Sequence, residues 1–163
     1  MSAFSIILHE RLANWSRQLR PRLQDWPIRW SETRSEAALV LAASRSSCPI
    51  VVVELDRRGF QGLRDLERAL EASPNALSLV LDPLNRPGVE PVAREIGATL
   101  FLPGVVVPPE VEQLLRRWLP IARGRSEAQG WSVATEPEPE IWDRPEALMT
   151  QPRTSFDVRQ EKH

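Results

Sequence analysis

Charged side chains that could carry chemistry follow a predicted strand in the middle of the chain. Residues 50–53 are four consecutive β-branched residues, and such a run is typical of a strand buried on both faces of a parallel sheet. Glu54, Asp56, Arg57 and Arg58 come next. Because ligands collect at the carboxyl ends of parallel strands, the sequence predicts a functional site here, with the Glu54 carboxylate at its centre.

Two other predicted strands also end in acidic residues. Glu10 follows the strand at residues 4–8, and Asp82 closes the strand at residues 76–81. Since the carboxyl ends of parallel strands share one edge of a sheet, we expect Glu10, Glu54 and Asp82 to form an acidic edge cluster. His9, which precedes Glu10, is expected to be a partly exposed residue at its strand end.

The acidic edge cluster has two chemical interpretations. Three carboxylates are adequate oxygen donors for Mg²⁺ or Mn²⁺, and Glu10 and Glu54 would be the candidate ligands. Close carboxylates are also tolerated when they take up a proton or pair with arginine. The candidates for such pairing are Arg57, Arg58 and Arg86. The sequence favours pairing, so no cofactor is expected.

Five predicted strands alternate with five predicted helices along residues 1–123. The strands are predicted at residues 4–8, 26–30, 50–53, 76–81 and 99–102. This alternation predicts an α/β fold with a five-stranded, doubly wound parallel sheet in the flavodoxin-like order 2-1-3-4-5. Pro27 favours an edge position for the second strand, because proline cannot donate to a central hydrogen-bond ladder.

Three local signals predict where helices begin and end. Pro21 is expected to end the first helix, because proline lacks the donor and clashes with the preceding turn. Thr33 and Glu36 have the spacing of a capping box, which opens the second helix. Gly97 occupies the position of a glycine just beyond the fourth helix.

The composition changes at Gly124. Residues 124–163 contain six prolines or glycines among polar residues and carry eight acidic against five basic side chains. Such a segment cannot bury enough apolar area to offset its ordering entropy, so residues 124–163 are predicted to be a disordered tail. Its apolar side chains are candidate docking anchors: Trp131, Ile141, Trp142, Leu148 and Met149.

Composition also argues against several classes of function. The formal net charge of −1 provides no electrostatic basis for binding nucleic acid or a membrane surface. The single cysteine, Cys48, fits a reducing compartment. No apolar run approaches the length of a membrane span, and no secretory signal is visible. We therefore expect a cytoplasmic protein.

Residues 4–123 resemble the receiver domain of two-component response regulators in two stretches. Residues 51–63, VVVELDRRGFQGL, are similar to the strand and loop of the receiver's phosphoacceptor. Residues 93–119, AREIGATLFLPGVVVPPEVEQLLRRWL, are similar to the end of a receiver, with Phe101 at its aromatic switch position. The resemblance implies the flavodoxin-like fold and a role in signal transduction.

The chain departs from the receiver pattern at the positions that carry its chemistry. Glu54 stands where receivers have the aspartate that accepts the phosphoryl group. His9 and Glu10 stand where receivers have the paired acids that hold Mg²⁺, so one of the two carboxylates is replaced. Asp82 stands where receivers have the Ser or Thr that closes the fourth strand. Gly104 stands where receivers have a lysine. Asp82, Phe101 and Gly104 are thus the switch-equivalent positions.

These departures weaken phosphoryl transfer on physical grounds. Transfer requires cations that neutralise the equatorial oxygens, but the only lysine of the chain, Lys162, lies in the predicted tail. The Glu54 side chain is one methylene longer than aspartate, and a misplacement of that size costs about a hundredfold in rate. Asp82 adds a negative charge nearby. We therefore predict that Glu54 is not phosphorylated.

The sequence thus favours a degenerate receiver-like module, not an enzyme, that acts through protein contacts. Its predicted interaction face lies on the fourth helix, last strand and last helix, and comprises Arg94, Phe101, Arg116 and Arg117. The tail would add a second contact. Two alternatives remain: a working receiver with a rearranged acidic site, and a small enzyme that uses the acidic edge cluster. The sequence leaves the oligomeric state open.

Overall fold

The computed structural model describes residues 4–134, which contain a five-stranded, all-parallel sheet. The strand order is β2-β1-β3-β4-β5, as the sequence predicts. The strands are β1 (Phe4–His9), β2 (Ile28–Thr33), β3 (Ile50–Glu54), β4 (Leu77–Asp82) and β5 (Leu100–Pro103). A flavodoxin-like α/β fold is therefore confirmed.

Helices cover both faces of this sheet. They are α1 (Asn14–Leu23), α2 (Glu36–Ser44), α3 (Phe60–Ala72), α4 (Val89–Glu95) and α5 (Pro108–Ala134). Buried side chains of α1 and α5 pack on one face, while those of α2, α3 and α4 pack on the other. No helix within residues 4–134 combines the length and apolar character needed to cross a membrane.

The strands in the middle of the sheet are buried on both faces, which explains their unbroken apolar runs. In β3, Ile50 and Val52 pack towards α1 and α5, whereas Val51 and Val53 pack towards the other three helices. All four side chains are fully buried. Such a strand has no polar face, so its sequence does not alternate.

The end of α1 differs from the prediction. Pro21 lies inside α1, which continues to Leu23, although the sequence predicts that the helix ends at Pro21. Leu19 and Leu23 are both buried in the core, and they lie four residues apart on one helical face. Burial of Leu23 offsets the hydrogen bond that Pro21 cannot donate.

The second strand lies at a sheet edge as predicted, but it spans Ile28–Thr33 and begins just after Pro27. Thr33 belongs to this strand, so it cannot cap the following helix. The cap of α2 is instead Ser35, whose hydroxyl accepts a hydrogen bond from the Ala38 amide at 3.3 Å. The predicted capping box was therefore wrong by two residues.

The last helix extends well beyond the predicted domain boundary at residue 123. It continues to Ala134, so the prediction of disorder from Gly124 onward was wrong for residues 124–134. Contacts with the domain explain this: Arg125 donates to the Asn75 carbonyl at 3.3 Å, and Ser126 pairs with the Ser47 hydroxyl. The rest of the predicted tail, with its anchors Ile141, Trp142, Leu148 and Met149, lies outside the described residues.

Candidate functional site

The three acidic residues lie at the carboxyl edge of the sheet, as predicted. Asp82 is the last residue of β4 and Glu54 the last residue of β3, while Glu10 follows β1 directly. Asp82 and Glu10 are buried, with 0% and 3% of their surface exposed, and Glu54 is half-buried. Each carboxylate has a different set of partners, and these partners determine what the site can do.

Glu10 caps the first helix. One of its carboxylate oxygens accepts a hydrogen bond from the Trp15 amide and the other from the Ser16 amide, both at 2.8 Å. The residue before α1, Ala13, has a left-handed backbone and provides no side-chain cap. Glu10 therefore satisfies amide donors that the helix itself cannot pair, and its negative charge favours the positive end of the helix dipole.

Asp82 forms an ion pair with the partly exposed Arg86, one of the three arginines that the sequence suggested as partners. Its Oδ1 accepts from the Arg86 Nε at 3.0 Å and from Nη2 at 2.7 Å. Its Oδ2 accepts from the Arg86 backbone amide at 2.7 Å. Both oxygens of this fully buried carboxylate are thus engaged by one residue, through a fork of the kind that arginine forms with carboxylates.

Arg86 also binds the loop that follows β3. Its Nη1 donates to the Asp56 carbonyl at 2.8 Å, and its guanidinium lies against Gly59. A Cβ atom at Gly59 would overlap the Arg86 Nη1, so a larger residue there would force the guanidinium to shift. One arginine therefore joins the loop after β4 to the loop after β3.

Glu54 is the least committed of the three acids. Burial raises the pKa of its carboxyl above the ordinary value of 4.5, and the nearby Glu10 charge raises this pKa further. A hydrogen bond from the Trp15 side chain lowers this pKa, and the charge of Asp56 raises it, but both effects are smaller. A carboxyl in such surroundings is easier to protonate than an exposed one.

His9 was predicted to be partly exposed, but the structure corrects this, since only 5% of its surface is accessible. Its Nδ1 lies 3.0 Å from the Thr33 hydroxyl, and its Nε2 lies 3.0 Å from Asp65 Oδ2. Gln61 donates to the other Asp65 oxygen at 2.7 Å. Successive strand residues point to opposite faces, so His9 faces α3 while Glu10 faces α1.

Asp65 is a buried acidic residue near the site that the sequence did not predict. It is buried on α3 with 4% of its surface exposed. Its position gave one signal: Asp65 follows Gly62 by three residues and precedes Ala69 by four, on the flank of the apolar stripe of the helix. A polar residue on that flank needs a buried partner, and His9 is that partner.

The acid positions do not fit the Mg²⁺ site that the receiver resemblance implies. Both oxygens of Glu10 accept amide hydrogen bonds, and both oxygens of Asp82 are held by Arg86. This leaves Glu54 as the one cluster carboxylate without a cap or an ion pair among the described residues. No group of three possible metal ligands occurs within residues 4–134.

A cleft of about 440 Å³ opens at this edge beside Glu54. Loops after β1, β3 and β4 form its walls, and the structure thereby brings Arg57 and Arg58 to the site. Its apolar lining comes from Leu12, Leu55, Pro83 and Leu84. Its charged lining comes from Arg11, Glu54, Asp56, Arg57 and Arg58. We call this feature the edge cleft.

The residues of the predicted interaction face do not all lie on an accessible surface. Phe101 is buried, with 5% of its surface exposed. Arg116 stacks on the Trp26 ring at 4.9 Å from its centroid and pairs with Glu112 at 3.1 Å. Arg94 is exposed and pairs with Glu90 at 2.7 Å. Arg117 is exposed.

The third switch-equivalent residue, Gly104, lies in the loop after β5. Its φ of 77° is left-handed, a conformation that favours glycine. Its amide donates to the Asp82 carbonyl at 2.8 Å. The position therefore serves to connect the ends of β4 and β5 through the backbone, and it supplies no cation to the edge.

The fold is similar to solved receiver domains. The signal receiver domain of a putative Luxo repressor protein from Vibrio parahaemolyticus has a TM-score of 0.63 and 12% identity, over 84% of this chain and 100% of that chain. A response regulator from Burkholderia pseudomallei with a phosphorylated aspartic acid has a TM-score of 0.59 and 16% identity, over 82% and 75% respectively.

A third solved structure, described as adenylate cyclase from Rhodopirellula baltica, has a TM-score of 0.66 and 14% identity, over 82% of this chain and 100% of that chain. No protein-family model and no curated protein matches the sequence. The structural likeness confirms the receiver-domain fold that residues 51–63 and 93–119 suggest.

Proposed function

We propose that this protein is a receiver-like signalling module that does not accept a phosphoryl group at Glu54 and acts through protein contacts. The observation that carries the proposal is the Asp82–Arg86 pair, with Arg86 Nη2 at 2.7 Å from the buried carboxylate. Phosphoryl transfer depends on cations that are available to the transferred group. The Arg86 guanidinium is already committed to Asp82 and to the Asp56 carbonyl.

The same contacts support a module that holds one arrangement and does not switch. Arg86 joins two loops at the carboxyl edge, and Glu10 joins the end of β1 to the start of α1. A switch needs two arrangements of similar free energy. An alternative loop arrangement that separated Arg86 from Asp82 would leave a fully buried carboxylate without its charged partner. This is strongly unfavourable, so such an arrangement would be rarely populated.

We expect incubation with acetyl phosphate and Mg²⁺ to leave the wild-type protein and Glu54→Asp unmodified. Shortening the side chain restores the usual acceptor but neither frees Arg86 nor supplies a second metal ligand. Intact-protein mass spectrometry measures the result, with a functional receiver domain as the positive control. A hydroxylamine-sensitive phosphoryl group on wild-type protein that is absent from Glu54→Gln would instead support the working-receiver alternative.

We place the protein contacts on α4 and α5, where Arg94 and Arg117 are exposed. The double variant Arg94→Glu/Arg117→Glu reverses both charges without touching the core. Partners that co-purify with the wild-type protein from its native cells should be lost from this variant. The matched control is Arg17→Glu/Arg45→Glu, which makes the same charge change on α1 and after α2. Equal recovery of partners by both double variants would contradict the assignment.

Arg116 is unsuitable for this test, although the sequence places it on the same face. Its guanidinium packs on Trp26 and pairs with Glu112, while Glu112 also lies 3.7 Å from Arg22 of α1. Charge reversal there would disturb the packing of α5 against α1, and a lost partner would then report a change in the fold.

A further inference from the structure

The edge cleft has the size and position of a small-molecule site. Its volume of about 440 Å³ lies within the range of known ligand pockets, which are roughly 300–1,000 Å³ and mostly apolar. It lies between the loops after β1 and β3, where the strand order reverses. Open α/β sheets bind ligands at this topological switch point.

Two leucines leave apolar surface uncovered on separate walls of the edge cleft. Leu12, in the loop after β1, is 73% exposed, and Leu84, in the loop after β4, is 57% exposed. Both line the same cleft together with buried Leu55. Burying apolar surface is favourable, so a ligand with an apolar body would gain free energy between these leucines.

The charged side chains of the edge cleft leave a positive excess. Arg11 pairs with Asp56 at 3.0 Å, and these two charges offset each other. Arg57 and Arg58 are both exposed, and neither side chain forms an ion pair within residues 4–134. Glu54 opposes them with one negative charge at most. Arg57 and Arg58 therefore give the cleft lining two guanidinium groups that can bind an anionic head group.

We propose that the edge cleft binds a small amphipathic anion, with its apolar body between Leu12 and Leu84 and its anionic oxygens on Arg57 and Arg58. This role goes beyond the protein contacts proposed above and does not depend on them. A ligand there would bridge the loops after β1, β3 and β4, so its binding would stabilise the folded state by mass action.

The test uses the full-length protein and three probes that share one ring system: 2-naphthoate, 2-naphthalenesulfonate and the neutral 2-naphthamide. None of them can transfer a phosphoryl group, so their binding is independent of acceptor chemistry. Methyl NMR spectra report on Leu12 and Leu84, and the titrations give dissociation constants. We expect both anions to shift these methyl signals and to bind at least about tenfold more tightly than the amide.

Two variants should change the affinity in opposite directions. Arg57→Gln/Arg58→Gln should weaken binding of both anions by about tenfold or more, because it removes their charged partners. Glu54→Gln should tighten it, because it removes a like charge from the cleft. The matched control Arg17→Gln/Arg45→Gln lowers the net charge equally, away from the cleft, and should leave the affinity unchanged.

Four results would overturn the proposal: no shift of the Leu12 and Leu84 methyl signals, equal affinity for the amide and the anions, equal weakening by the two double variants, or weaker binding to Glu54→Gln. A variant that loses its fold could weaken binding but could not tighten it, so the Glu54→Gln result separates recognition from damage. Any of these outcomes would leave the phosphorylation and partner-contact tests unaffected.

Discussion

A single buried histidine shows how a polar strand end is satisfied by partners from other elements. His9 lies between the Thr33 hydroxyl and the Asp65 carboxylate, each 3.0 Å away. Burial lowers the pKa of its imidazole below 6.5, while the Asp65 hydrogen bond and charge raise it in part. The charge of Arg11 lowers this pKa and the charge of Asp56 raises it, both by smaller amounts. Burial has the largest effect, so the neutral imidazole is favoured in the folded state.

This histidine should make stability depend on pH. The unfolded chain has the ordinary pKa of 6.5 and binds the proton more readily than the folded chain. The contribution of neutral His9 is therefore complete above about pH 6.5 and is lost as the pH falls towards the lower folded-state pKa. Urea unfolding between about pH 8 and pH 5.5, where ordinary carboxyl groups stay ionised, measures this loss.

The control for that measurement is His9→Gln, which keeps polar atoms in the same place without titrating in this range. The difference in unfolding free energy between wild type and His9→Gln should shrink as the pH falls. A difference that stays constant with pH would mean that His9 stabilises the fold by packing alone.

Individual site residues could be predicted only as far as local pattern reaches. Strand ends gave Glu10, Glu54 and Asp82, because each follows an apolar run. Their roles depend on residues from other elements: α1 amides bind Glu10, and Arg86 binds Asp82. Sequence spacing alone could not choose Arg86 over Arg57 or Arg58 as the partner of Asp82.

At the scale of elements, the loops after β1, β3 and β4 are joined at the carboxyl edge of the sheet. Arg86 follows β4, and its guanidinium occupies the space where Gly59 lacks a side chain. Asp56, in the loop after β3, accepts from Arg86 through its carbonyl and pairs with Arg11 through its carboxylate. Asp56 thus connects the loops after β1, β3 and β4.

Gly59→Ala should break this connection. Its new methyl group would overlap the Arg86 guanidinium, which is held by Asp82 and cannot simply swing away. We expect a loss of about 1–3 kcal/mol in unfolding free energy, as for other overpacked sites. Gly124→Ala on α5 meets no atom within 4 Å and should gain about 0.5–1 kcal/mol from the better helix former.

The same substitution in an Arg86→Gln background identifies the cause. Glutamine is shorter and leaves the space beside Gly59 free, so Gly59→Ala should cost little in that protein. A coupling energy of about 0.5–3 kcal/mol is typical of residues in direct contact. Equal costs in both backgrounds would show that the alanine strains the loop for another reason.

Elements were predictable where burial on one stripe or one strand dominates. β3 and β4 follow directly from their apolar runs, and the sheet order follows from the alternation of strands and helices. Errors occurred where a distant contact overrides a local signal. Leu23 is buried and extends α1 past Pro21, while Thr33 hydrogen-bonds to His9 and leaves the cap of α2 to Ser35.

At the scale of the whole molecule, α5 runs from the carboxyl ends of the strands to their amino ends. Val111, Leu115 and Trp118 bury its first half against the sheet. Its second half contacts the opposite edge, where Arg125 and Ser126 reach the segments that precede β4 and β3. These contacts, which composition could not reveal, keep polar residues beyond 123 helical.

Hydrogen exchange should reveal this extension in the full-length protein. Backbone amides of residues 124–130 should exchange at least about tenfold more slowly than unstructured amides. Arg125→Ala/Ser126→Ala should speed their exchange, whereas Arg117→Ala, an exposed change nearer the start of the helix, should not. Exchange at the unstructured rate in the wild-type protein would restore the predicted boundary at residue 123.

The length of α5 has a mechanical consequence. Its 27 residues span about 40 Å at 1.5 Å per residue, so a tilt of about 5° at Pro108 displaces Ala134 by roughly 3–4 Å. The helix also has a weak point for bending, because Pro120 lies inside it and cannot donate to the Arg116 carbonyl. Bending therefore concentrates near Pro120, so a force applied at Ala134 would deform the helix there first.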